Sequence, residues 1–381
     1  MSGYAETLLA WVDHLRSGGT QNWTDFAASH GTSANEVGDH RHHENLPTAT
    51  QLRLLELLLP RVDRKPQLVD LICATPAPGR GLVDIPLTWP VESPFGTPAH
   101  PPEEVPANEI LRQAIAVLVA LLGRNQPPPP AETSPAPLPL PWRQRFQVHG
   151  APIAADIVRQ DLTKQRHHES TYRPIHLLLG NPLEVMMAEF WTQRAHRGGI
   201  IRWHSLWQQA IKNGGLPRPM NLAARARELQ AQGADLVIVI GSDTEAAHAL
   251  AVDHLGRRPM VPAPPANPAG TDAIRRCNRL LGQTLGADLL DQWRPTLLRL
   301  LSFPDREPLG VPADALDWAV AQAQAQVQQL SEGGYAVVGD LGTLLPDQDP
   351  TIPRRVRADR TLPVVLHGLE QAWKEMQWPG E

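Results

Sequence analysis

Leu236-Val237-Ile238-Val239-Ile240-Gly241-Ser242-Asp243 is the stretch on which the fold turns. Five apolar residues run without a polar break, four of them β-branched, and a glycine and two helix-capping residues follow. A run this short and this β-branched is a buried strand, and the residues after it read as a turn into a helix. Working outward, Arg145 to His149 (RFQVH) and Pro174 to Leu179 (PIHLLL) read the same way, and Tyr335 to Val338 (YAVV) is the last strand. Each except the last precedes a helical pattern. Helices are expected over 151–165, 182–196, 203–212, 221–232, 243–255, 271–285, 289–301 and 312–331. Strands separated by helices require right-handed crossovers, so the fold class is α/β with a mostly parallel sheet flanked by helices.

Upstream of residue 124 only helical patterns occur: Tyr4 to Leu15, Trp23 to Ser29, a leucine-rich helix opened by Thr48, Pro66 to about Ala74, and Ala107 to Leu122. The segment 75–106 is broken by prolines and reads as extended chain. Residues 1–123 are therefore expected to form a small all-α domain. Between Arg124 and Pro141 eight of eighteen residues are proline, which makes a stiff polyproline II spacer. An α/β domain over 142–346 and a C-terminal extension over 347–381 complete the division. The extension carries a helix from Val364 to Met376, whose apolar face is suited to dock on the N-terminal domain or on another subunit.

The chain has 381 residues, 42% apolar and 20% charged, which is globular composition, and 39 prolines, about twice the ordinary usage of roughly 5%. A net charge of −5 supplies no field for a polyanion, so neither nucleic acid nor an anionic membrane is an expected partner. No run reaches the ~20 apolar residues of a membrane helix. Cys73 and Cys277, far apart in apolar patterns, read as reduced core thiols, and the acid-punctuated first residues do not read as a signal peptide. The expected location is cytoplasmic.

Three stretches resemble the bacterial sulfotransferase family, with its P-loop-like fold: Val148-His149-Gly150-Ala151-Pro152, then Pro182 through Trp191 to Trp207, and Gly334-Tyr335-Ala336-Val337-Val338-Gly339-Asp340 through Pro346. The resemblance covers about Gln144 to Pro346 and implies a site for 3′-phosphoadenosine 5′-phosphosulfate, with Gly150, Ala151, Pro152 and Asn181 at its donor-binding positions. A phosphate cradle needs backbone N–H groups at a helix N-terminus together with cations and hydroxyls. Where the family carries a lysine, a glycine and hydroxyl residues, this chain has Ile153, Ala154, Ala155, Asp156 and Ile157. Where the family has an arginine after the second strand, Asn181 stands. The donor site is thus read as vestigial, with Asp156 as an internal substitute for the lost anion.

The expectation is a non-catalytic, sulfotransferase-like binding or scaffolding module with a protein partner, no cofactor and no metal; homo-oligomerisation is left open. The alternative is an active sulfotransferase using the same donor, with cations from Arg145, Arg159, Lys164 or Arg173. Two His-rich segments, 39–44 and 166–169, invite a metal, but adjacent histidines rarely converge on one ion and read better as solvated loops. Trp191, Trp203 and Trp207 read as a core seam rather than a stacking platform. Ser242 or Asp243 reads as an N-cap.

Overall fold

The computed structural model describes residues 3–21, 25–26, 29–30, 47–63, 65–76, 102–127, 145–170, 172–262, 267–284, 287–302 and 307–375. The His-rich segment 39–44, the proline-rich 128–144 and most of 75–106 lie outside them. The chain divides into two compact units. One comprises Met1–Pro129, Arg276–Ser302 and Arg357–Glu381; the other comprises Pro130–Arg275 and Phe303–Val356.

In the first unit every described regular element is helical: α1 (Gly3–Arg16), α2 (Ala49–Leu58), α3 (Lys65–Cys73) and α4 (Ala107–Arg124) from the N-terminal part. Thr48 opens α2 as expected, through a reciprocal capping box with Gln51. Two buried glutamines then satisfy carbonyls where α3 ends: Gln51 Nε2 donates to Ile72 O at 2.8 Å, and Gln113 Nε2 donates to Thr75 O at 2.8 Å. The unit is not contiguous in sequence, in contrast to the expected division into 1–123, 142–346 and 347–381. Residues 276–302 and 357–381 belong to it, and both segments carry buried apolar side chains, among them Leu281, Trp293, Leu297, Val365 and Leu369.

The second unit holds five parallel strands: β1 (Arg145–Gly150), β2 (His168–Glu169), β3 (Ile175–Gly180), β4 (Asp235–Ile240) and β5 (Ala336–Val338), in the order β2-β1-β3-β4-β5. Its helices are α5 (Pro152–Lys164) after β1, then α6 (Leu183–His196), α7 (Trp203–Lys212) and α8 (Leu222–Ala231) between β3 and β4, and α9 (Thr244–His254) after β4. Numbering continues with α10 (Pro268–Thr284), α11 (Ala287–Leu300), α12 (Leu316–Glu332) before β5, and α13 (Ala358–Glu375). Each of the four longer-range strand assignments falls within a residue or two of its expected place.

Leu177, Leu178 and Leu179 of β3, and Val237 through Ile240 of β4, are all buried, so both faces of the central strands are covered. The tryptophans behave as a seam. Trp191, Trp203 and Trp207 are at most 4% exposed, and successive rings meet at 5.7 and 5.6 Å. Asp243 caps α9 by accepting from Ala246 N at 2.8 Å.

Candidate functional site

From β1 the chain winds one way to β2 and the other way through β3, β4 and β5. The reversal opens a switch point between the carboxyl ends of β1 and β3, the place where open α/β sheets hold ligands. Gly150-Ala151-Pro152 and Gly180-Asn181-Pro182 meet there, two copies of one pattern in which a strand ends on glycine and a proline starts or caps a helix. Gly150 has φ +97°, and a Cβ on it would lie 2.0 Å from Leu179 O. Any other residue would be strained by its own backbone and would push β1 off β3.

The first turn of α5 can be accounted for group by group. Ala151 N donates to Leu179 O at 2.9 Å, Pro152 has no N–H, and Ala155 N donates to Ala151 O at 2.8 Å. The remaining two, Ile153 N and Ala154 N, donate to Glu189 Oε2 at 2.8 and 3.3 Å. Glu189 rises from α6, 4% exposed. Its other oxygen accepts from Asn181 Nδ2 at 2.9 Å and from Thr244 Oγ1 at 2.6 Å. Burial pushes this carboxyl up to about 7, against the pull of its four donors.

The acidic side chain seated on the α5 N-terminal amides is therefore Glu189, and the expectation that Asp156 plays that part is corrected. Asp156 lies a turn further along, 44% exposed, paired with Arg159 at i+3 and accepting from Gln193 Nε2 at 3.3 Å. Its side chain is too far into the helix to reach the free amides, which belong to the first turn. Gly150, Ala151, Pro152 and Asn181 are brought together, but around a carboxyl group of the chain itself. Glu189 was legible as one acidic residue inside the apolar run Met186-Met187-Ala188-Glu189-Phe190-Trp191. An acid at a helical position that must face the core is a signal for a buried network.

The cations that would serve a donor are engaged elsewhere. Arg145, at the opposite end of β1, lies over the Tyr172 ring at 4.8 Å, and Arg173 lies over the same ring at 5.8 Å. Arg159 donates to Val148 O at 3.0 Å and pairs with Glu169 at 3.4 Å. Of the second His-rich segment, His168 and Glu169 form β2, and no group of three or more metal-ligating residues occurs among the described residues. No family model matches the chain, and neither a curated protein nor a solved structure matches it significantly.

Proposed function

We propose that this chain is a non-catalytic binding or scaffolding module, sulfotransferase-like in its α/β unit, whose anion-binding turn is closed by its own side chain. The observation that carries the reading is the Glu189 carboxyl oxygen on the Ile153 and Ala154 amides. A donor phosphate would have to displace that carboxyl group, which would leave Asn181 and Thr244 without their acceptor. It would gain no cation in return at Ile153 to Ile157, and charge-assisted contacts dominate phosphate recognition. The work of the module then falls to its surface, and the partner proposed is a protein.

Titration calorimetry with adenosine 3′,5′-bisphosphate tests the reading directly. Wild-type protein is expected to give no binding heat and no shift in Tm. Saturable one-to-one binding, weakened by Arg159→Ala, would establish the donor-using alternative instead.

A further inference from the structure

One residue before the Gly150 turn, three basic side chains form a line joining α8 to two strands. Arg225 Nη2 lies 3.3 Å from His149 Nδ1, and His149 Nε2 lies 3.1 Å from His176 Nδ1. The two imidazole planes are within 13° of parallel, with 5.4 Å between ring centroids. A guanidinium has only donors, so His149 Nδ1 is the acceptor and its proton sits on Nε2. That proton is then donated to His176 Nδ1, which fixes the second ring's proton on its own Nε2. Both rings are locked in one tautomer. Each has a single basic lone pair, on Nδ1, and each lone pair already faces an N–H. An added proton must break one of the two hydrogen bonds and set like charges against each other.

We propose that Arg225, His149 and His176 form an acid-released latch, which fastens α8 to β1 and β3 near neutrality and opens when a proton enters it. The charged surroundings favour the neutral state. Burial, then Arg225, His176 and Arg159 lower His149 to about 4, with Glu228 alone opposing; burial and Arg225 lower His176, with Asp235 opposing. Glu228 is itself held by Arg225 at 2.8 Å and by Arg218 at 3.4 Å, which spends part of its charge. The ties at the N-terminus of α8 do not titrate. Asn221 accepts from Ala224 N at 3.0 Å, and Gln326 Oε1 accepts from Leu222 N at 2.7 Å. Acid therefore loosens the strand-facing side of the helix while its N-terminus stays tied.

The sign follows from the neutral preference of the fold. A histidine held below its ordinary 6.5 stabilises fully above that value, and the contribution drains away as pH falls toward 4. Between pH 7 and pH 4 this corresponds to roughly 100-fold in the closed-to-open equilibrium.

Hydrogen exchange over 222–231, corrected for intrinsic rates, reads the latch between pH 7 and pH 4. His149→Gln provides the control, because its carbonyl can accept from Arg225 and its amide can donate to His176 without titrating. Wild type should lose protection in α8 progressively, by about 100-fold, while His149→Gln, in which only His176 can titrate, loses far less. Arg225→Gln, which removes the repelling charge, should raise His149 in the closed state and so shrink the acid-induced loss of protection, and it serves also if the first variant does not fold. Imidazole ¹⁵N shifts at pH 7 should report Nε2–H on both rings. Parallel loss of protection in wild type and variants, or an Nδ1–H tautomer on either ring, would overturn the proposal.

Discussion

Glu189 is held by donors from three places in the fold, and burial and hydrogen bonding act on it in opposite directions. Removing the side chain strands two backbone amides in a dry interior, so Glu189→Ala is expected to cost about 2–4 kcal/mol in denaturant unfolding. Glu189→Gln should cost much less. Its carbonyl can take both amides, and its NH₂ can face Asn181 Oδ1 after an amide flip, an atom that is buried and without a partner in the present arrangement. The two variants also separate by pH. With the carboxyl raised from 4.5 to about 7, the fold favours the protonated acid, so its contribution is complete below about 4.5 and is lost as pH rises through 7. Unfolding free energies of wild type relative to Glu189→Gln should fall across that window. A flat difference would mean that the four donors hold the group ionised throughout.

At the scale of elements, α13 is where the two ends of the chain are tied together. Its face of Val364, Val365, Leu366, Leu369 and Trp373 is buried, and Trp373 Nε1 donates to Asp63 O at 2.9 Å. The apolar stripe of this helix was readable, and of the two docking places open to it the N-terminal helices are the one observed. The stripe could not name its own receiver, because any apolar surface satisfies the hydrophobic effect. Gly368 sits where α13 passes α11: a Cβ there would lie 2.8 Å from Leu301 Cδ2 and 3.1 Å from Leu300 O. Gly368→Leu should therefore wedge the helices apart and destabilise the helical unit by about 1–3 kcal/mol, measured as a lower Tm. An unchanged Tm would show that α11 gives way freely.

For the whole molecule, the interleaved units predict how the chain can be cut. A fragment of 142–346 carries 276–302 without the partners that bury Leu281, Trp293, Leu297 and Leu300. Expressed alone it should aggregate. A chain of 130–356 in which 276–302 is replaced by a Gly/Ser linker keeps the whole second unit and should be soluble and folded by circular dichroism. If the first fragment is the better behaved of the two, the helices of 276–302 are not integral to the helical unit.

What the sequence determined by itself is local. Runs such as LVIVI and HLLL admit only a strand buried on both faces, and capping residues such as Thr48 and Asp243 mark where helices start. These follow from period, branching and side-chain reach, all of which act over a few residues. The strand order, the withdrawal of 276–302 and α13 into the helical unit, the seating of Glu189 rather than Asp156 on the α5 amides, and the meeting of His149 with His176 and Arg225 were decided by tertiary structure. Glu189 reaches amides 36 and 35 residues before it, and Arg225 reaches an imidazole 76 residues before it. No pattern within a window of either residue encodes such a meeting, because the chain's turns and crossovers, not its local preferences, bring the two together.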